Sequence, residues 1–298
     1  MIIREALAAA CADLAAAGID TPSLDAQLLL TNVLKISRTT LAARSGEPLS
    51  QENTEEFFTL VERRKKGECA AYILGKKEFR GLEFFVNPSV LVPRPDTETL
   101  VEAALEILRG SGERGMGSND NKTAENSYRI LDMCTGSGAV AVSLKNEMPW
   151  LDVHASDISA EALEIAKENA YRLLGENQIH FYQGDLYDAL PRSPLPAPHS
   201  LIISNPPYIP ADEIKTLSAE VQNEPRLALD GGKTGLEIIS RIIEGSHDFL
   251  QRGGFLLLEA DPRQMEKIAS GLAVNGYYDI KLYKDLSGKE RVIGGIRE

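Results

Sequence analysis

The sequence predicts an α/β protein, a mostly parallel sheet with helices on both faces, preceded by a small helical bundle. Three observations predict it. Strand and helix patterns alternate from Tyr128 onward, the first 75 residues are patterned as helices alone, and the motifs fit for ligand binding follow the strands. A length of 298 residues fits two domains on a scale of about 150 residues each. Lys and Arg number 32 against 44 Asp and Glu, a net charge of −12, and 43% of residues are hydrophobic. That acidity argues against a broad phosphate-binding surface, which gains affinity by releasing counterions from Lys and Arg contacts. A small basic cleft stays open.

No window approaches the roughly 18 uninterrupted apolar residues of a membrane span. The start Met1-Ile2-Ile3-Arg4-Glu5-Ala6 lacks a basic region before an apolar core, so a cytoplasmic protein is expected. Cys11, Cys69 and Cys134 are widely spaced and suit a reducing compartment. His154, His180, His199 and His247 show no H-E-x-x-H spacing, so no metal enzyme is expected.

Taken in order, Ile3, Leu7, Cys11 and Leu14 recur at helical spacing and Gly18 closes the run. Thr21-Pro22 opens a second helix with Leu24, Leu28, Leu29 and Val33 on its apolar side. Ser50 caps a third, carrying Phe57, Leu60 and Val61. The cluster Arg63-Arg64-Lys65-Lys66 reads either as a solvated helix end complementing the dipole or as a contact for an RNA- or ribosome-associated partner. Leu82, Phe84, Val86 and Val90-Leu91-Val92 suggest a hairpin over 76–95 with its turn at Asn87-Pro88, bridging to the α/β domain at 96–298. Residues 109–127 are rich in Gly, Ser and Asn and read as a mobile surface loop, and Pro191–His199, with four prolines, as a second irregular stretch. Strands follow at Ile130–Met133, Val153–Ala155, Ile179–Tyr182, Leu201–Ile203 and Phe255–Leu258, then two short ones at the end. Helices start at Ala139 and Ser159 and span 235–250 and 262–274.

In such sheets ligands sit beyond the carboxyl ends of the strands. After the first strand comes Cys134-Thr135-Gly136-Ser137-Gly138, where small residues let a ligand approach backbone N–H groups at a helix start. Structural turns share that pattern. Asp157 ends the second strand, 19 residues after Gly138, placed to accept from ribose hydroxyls or to cap the next helix. Together the two favour a nucleoside over a dinucleotide, because the full G-x-G-x-x-G is missing. Asp185 and Leu186 after the third strand offer an acceptor for an adenine amino group and an apolar cover.

The decisive signal is Asn205-Pro206-Pro207-Tyr208 after the fourth strand. The Asn205 side-chain carbonyl and the Pro206 backbone carbonyl can each accept one hydrogen of a planar –NH2 group. Tyr208 can pack on the group's face. Two prolines also stiffen a turn without any chemistry.

This motif resembles that of amino-methyltransferases using S-adenosylmethionine, on adenine-N6 or on a protein glutamine. Ala71-Tyr72-Ile73-Leu74-Gly75, Glu78-Phe79, Leu91-Val92-Pro93-Arg94-Pro95-Asp96-Thr97-Glu98, Glu224-Pro225-Arg226-Leu227-Ala228-Leu229 and Gly231-Gly232 resemble the release-factor glutamine methyltransferases, the HemK/PrmC family. The resemblance implies a Rossmann-like methyltransferase domain after a helical substrate-recognition domain at 1–75. It implies S-adenosyl-L-methionine as donor, S-adenosyl-L-homocysteine as product, and peptide chain release factors as partners, methylated on the N5 amide of a Gly-Gly-Gln glutamine. By it, Cys134, Thr135, Gly136, Ser137, Gly138, Asp157, Asp185, Leu186 and Asn205 contact the donor, with Arg94, Pro95 and Thr97 at its methionine end. Asn205, Pro206, Pro207 and Tyr208 hold the glutamine amide. The family commonly has glycine where this chain has Cys134, and cysteine tolerates positive φ less readily. Cys134 is not read as a nucleophile, because the donor is itself the electrophile, and no catalytic base is assigned.

The alternative is an adenine-N6 methyltransferase, whose flipped base presents the same –NH2 pattern. The flanking motifs and the negative charge weigh against it. The first 76 residues hold 9 basic and 10 acidic residues, so the acidity lies on the rest of the chain. That makes the helical domain with Arg63–Lys66 the expected docking surface.

Overall fold

The computed structural model describes residues 1–111, 128–191 and 198–298. The chain divides into two compact units, one of Met1–Lys76 with Ser218–Asn223, the other of Lys77–Leu217 with Glu224–Glu298. Elements are numbered in chain order, α9 (Ala219–Gln222) and α10 (Arg226–Leu229) being single helical turns.

The first unit holds α1 (Ile3–Ala16), α2 (Pro22–Leu34), α3 (Arg38–Ala43), α4 (Gln51–Lys65) and α5 (Ala70–Leu74), with the short turn of helix Ala219–Gln222. Helix α1 buries Ile3, Ala6, Ala10 and Leu14, so alanines fill the stripe where Leu7 and Cys11 were expected. Small side chains there let helices approach closely, which hydrophobicity alone does not reveal. In α2 the buried face is Asp25, Ala26, Leu29, Leu30 and Val33, and Leu24 is exposed. Ser50 caps α4, accepting from Asn53 N, and Phe57 and Val61 are fully buried.

The basic cluster at the end of α4 is mostly paired. Arg64 is buried and donates from Nε to Asp25 Oδ2 and from Nη2 to Glu220 Oε2, both at 2.8 Å. Arg63 pairs with Glu68 and Lys65 with Glu62. The polar position in α2 is therefore explained by a cation four turns along α4, a partner no local pattern shows.

The second unit contains a hairpin of β1 (Lys76–Phe79) and β2 (Leu82–Phe85). Its turn is Arg80-Gly81, not Asn87-Pro88: both residues have positive φ, +51° and +75°, the two-residue loop that suits a twisted hairpin. Residues Val90–Val92 form no strand. The main sheet has the order β5 (His180–Gln183), β4 (Asp152–Asp157), β3 (Arg129–Met133), β6 (His199–Ser204), β7 (Leu250–Glu259), β9 (Glu290–Arg297), β8 (Tyr277–Lys284). The first five pair in parallel, whereas β9 is antiparallel to both neighbours. Helix α6 (Glu98–Ser111) runs on through 109–111, which the sequence placed in a loop, and 112–127 lie outside the described residues. Likewise His199 opens β6, and 192–197 lie outside them.

Alternation along the strands serves two cores. Ile130, Ile203 and Leu257 face α6, α7 (Ala139–Glu147) and α8 (Ala160–Leu174), packing with Leu100, Leu105 and Leu144. Leu131, Ile202 and Leu256 face the other way, onto Ile242 of α11 (Glu237–Gly245) and Ile268 of α12 (Met265–Val274). Strands buried on both faces read as the continuous apolar runs of a parallel sheet. From β3 the chain winds outward through β4 and β5, then returns to β6 on the opposite side. The crevice between the carboxyl ends of β3 and β6 is thus the switch point at which open α/β sheets bind ligands.

Replacing Arg64 with alanine would leave the Asp25 carboxylate buried and uncompensated, a loss of about 3–5 kcal/mol. Denaturant unfolding followed on the helical unit should show it. A loss below about 1 kcal/mol would mean that the pair is not structural.

Candidate active site

The loop after β3 is shaped by positive φ. Cys134, Gly136 and Gly138 have φ of +60°, +55° and +80°. Cys134 thus adopts the left-handed conformation that glycine takes more cheaply. A Cβ on Gly138 would lie 3.2 Å from Ala166 Cβ, so α8 packs directly on the loop. Asp132 supports it from beneath: Thr135 Oγ1 donates to Asp132 Oδ2 at 2.6 Å and Ala141 N at 3.1 Å. Burial raises the Asp132 carboxyl to about 7 despite those donors. Asn169, fully buried on α8, donates to Ser137 O and Phe85 O, both at 2.9 Å, and accepts from Phe85 N.

Asp157 accepts from Gly136 N through Oδ2 and from Ser159 N through Oδ1, both at 2.9 Å. It is not the cap of α8: Ser159 is, accepting from Ala162 N. Each carboxylate oxygen keeps a lone pair for a ligand. Burial raises the Asp157 carboxyl. Asp185 pairs with Arg241 at 2.8 Å, and Leu186 adopts a φ of +49°. Of the six described non-glycine residues with positive φ, Cys134 and Leu186 line one cavity, where backbone strain tends to mark function.

That cavity, about 250 Å³, brings together Arg94, Thr97, Cys134, Thr135, Gly136, Ser137, Asp157, Asp185, Leu186, Asn205 and Pro207. Pro95, Gly138, Pro206 and Tyr208 do not line it. Pro95 starts the 3-10 turn that carries Thr97, and Gly138 is packed under α8. Pro206 is buried, and Tyr208 is half-buried against the α11–α12 core. Two glycines set the Tyr208 backbone. A Cβ on Gly231 would lie 2.7 Å from Tyr208 Cα, and Gln264 Nε2 donates to Tyr208 O at 2.9 Å and to Gly235 O at 3.1 Å.

Asn205 Nδ2 donates to Thr97 Oγ1 at 3.1 Å. Beside them stands Glu259, at the end of β7 and 2% exposed, which no sequence motif marked. Burial raises its carboxyl to about 7, although the Thr97 hydroxyl and the Asn205 amide favour the ionised form. Its Oε2 is buried with no hydrogen-bond partner among the described residues. Thr97 is itself held at both flanks. Arg94 Nη2 donates to the buried Glu224 Oε1, and Arg291 pairs with Asp96 at 3.0 Å. The Pro93-Arg94-Pro95 and Glu224-Pro225 motifs, 130 residues apart, therefore form one clamp.

A glycine loop offering backbone N–H groups, a strand-end carboxylate and an amide acceptor at the switch point of a parallel sheet define a methyltransferase-type α/β domain. The fold is shared with a solved structure of the hMettl16 catalytic domain in complex with MAT2A 3'UTR hairpin 1, at 13% identity and a TM-score of 0.57, covering 96% of this chain and 91% of that one. The Human methyltransferase 10 domain containing protein matches at 16% identity and a TM-score of 0.51, over 72% of this chain and 87% of its own. Residues 5–75 match the model of the PrmC N-terminal domain, and 115–223 that of the Methyltransferase small domain.

Relatives match over almost the whole length. The Release factor glutamine methyltransferase of Moorella thermoacetica is 38% identical, over 98% of this chain and 97% of its own. That of Coxiella burnetii is 42% identical, over 92% and 91%, and that of Escherichia coli strain K12 36%, over 93% and 92%. The chain belongs to the release factor glutamine methyltransferase family, an S-adenosylmethionine-dependent class of enzyme. No helix among the described residues is long and apolar enough to cross a membrane.

Folding raises the Glu259 carboxyl from 4.5 to about 7, so it favours the neutral group. Its contribution to stability is complete below pH 4.5 and is lost as pH rises through about 7. E259Q removes that loss, and its stability relative to the parent should rise between pH 4.5 and pH 7 in denaturant unfolding. A difference that does not change with pH would show that Glu259 does not titrate there.

Proposed function

We propose that this chain transfers the methyl group of S-adenosyl-L-methionine to the side-chain amide nitrogen of the Gly-Gly-Gln glutamine in peptide chain release factors, yielding S-adenosyl-L-homocysteine. The observation that carries the reading is Asn205, set on the switch-point cavity with its amide nitrogen tied to Thr97 beside Glu259. The relatives' shared name supports the substrate.

The residues present suit the donor. Gly136 has open space where a Cβ would stand, so a ligand can reach the backbone there. Asp157 and Asp185 bring negative charge to a cavity that must take a sulfonium and an ammonium, while Arg94 and Arg241 can meet a carboxylate. We assign ribose recognition to Asp157 and the cover of the base to Leu186, with Arg94 and Thr97 toward the methionine end. When bound, the donor supplies an electrophilic methyl group on sulfur.

The protein's own work is positioning. An amide nitrogen is a poor nucleophile because its lone pair is delocalised into the carbonyl. With Asn205 Nδ2 committed to Thr97, the flip of the amide is set, and Oδ1 is the end left to accept from an incoming –NH2 group. The Pro206 carbonyl is the second acceptor, and Tyr208 packs beside the group. Two acceptors also stabilise the positive charge that grows on nitrogen as the bond forms. Orientation of this kind can supply roughly 7–11 kcal/mol in favourable intramolecular models. The N-methyl amide is strongly acidic before it loses its proton, so water suffices as acceptor. Three free cysteines suit a reducing cytoplasm, where we place the enzyme.

Incubation with labelled donor and either a release factor or nucleic acid tests the reading. Label should enter the release factor and vanish when its loop glutamine becomes alanine. Label in adenine alone would overturn it. Asn205→Ala should cut kcat at least tenfold, about 1.5–3 kcal/mol for a lost transition-state hydrogen bond, with donor affinity largely kept. Unchanged turnover would remove Asn205 from this role.

A further inference from the structure

At the far end of the sheet from the cavity, Asp152, His154 and His180 converge. Alternation along β4 puts Asp152 and His154 on one face. The parallel register then sets His154 directly beside His180 of β5. One ligand atom from each lies within 4.8 Å of the others. Asp152 Oδ1 is 3.4 Å from His154 Nε2 and 3.7 Å from His180 Nε2. In a tetrahedral site with bonds of about 2.0–2.2 Å, ligand atoms stand roughly 3.3–3.6 Å apart. Two edges therefore already match closely. His180, with 62% of its side chain exposed, has room to close the third.

An independent observation concerns the other nitrogen of His154. His199 Nδ1 lies 3.1 Å from the Phe249 carbonyl oxygen, which can only accept, so that nitrogen carries a hydrogen. His199 is 6% exposed, and its Nε2 lies 3.3 Å from His154 Nδ1. That contact occupies one nitrogen of His154 and leaves Nε2 turned to Asp152 Oδ1. The second-nitrogen hydrogen bond running on to a backbone carbonyl is the arrangement that orients metal-binding imidazoles. Arg129 Nε donates to the opposite oxygen, Asp152 Oδ2, at 2.7 Å.

We propose that Asp152, His154 and His180 bind a divalent transition-metal ion of the Zn²⁺ class. Two imidazoles and one carboxylate select such ions over Mg²⁺ and Ca²⁺, and the exposed side leaves a position for water. The ion pins β5, a four-residue strand at the sheet edge, to β4. Its role is structural, remote from methyl transfer. Spacing along the chain hides the site because its ligands come from two strands.

The test uses the full chain, stripped with a chelator and titrated with Zn²⁺ by calorimetry, with thermal unfolding as a second readout. One saturable ion per chain is expected, with a rise in Tm that Mg²⁺ does not reproduce. H180A changes an exposed side chain, so it should fold and keep methyltransferase activity while losing at least about tenfold in Zn²⁺ affinity and the rise in Tm. H247A should bind as the parent does. No saturable binding, or equal affinity in H180A, would overturn the proposal.

Discussion

The pairing of β3 with β6, Met133 beside Ser204, is the constraint on which the rest of the site depends. It places the residues that follow each strand, Cys134 and Asn205, side by side at the point where the chain reverses its winding. Everything brought from further away is delivered to that junction. The Ser204 hydroxyl ties it shut, donating to Met133 O at 2.6 Å. A slip of one residue would turn Ser204 and the apolar residues before it to the wrong faces. The alternating use of Ile202 and Ile203 by two separate cores holds that register.

Buried carboxylates do most of the fine positioning. Asp132 holds the loop from below, Asp157 from the next strand, and Glu224 grips Arg94. Each accepts from a backbone or side-chain donor, as a buried acid must. Glu259 differs in that its buried Oε2 has no hydrogen-bond partner among the described residues, while burial raises its carboxyl, like that of Asp132, to about 7. A carboxyl held there backs the Thr97–Asn205 pair without placing a full charge against the cavity.

Much of the fold was legible because both cores leave continuous apolar runs, and the glycine loop, Asp157 and Asn205 each follow a strand. The helical faces were not. The buried stripe of α1 is built from Ala6 and Ala10, and that of α2 includes Asp25, whose partner Arg64 lies 39 residues on. The hairpin turn fell on Arg80-Gly81, because a non-glycine residue at positive φ carries no local signature. Within the site, Arg94 was marked but its grip by Glu224 was not, and Glu259 fell just past the expected strand Phe255–Leu258. Its role comes from Thr97 and Asn205, which only the folded sheet brings near. The sequence pattern marks what touches a ligand more readily than what holds those residues in place.

The central claim is that Asn205 presents its carbonyl oxygen, and not its nitrogen, to the substrate amide. The most direct measurement is a crystal structure of the chain with S-adenosyl-L-homocysteine and a Gly-Gly-Gln peptide. The glutamine nitrogen should lie within about 2.7–3.2 Å of Asn205 Oδ1 and of the Pro206 carbonyl oxygen, with Asn205 Nδ2 still on Thr97. A glutamine bound elsewhere, or met by Asn205 Nδ2, would contradict it.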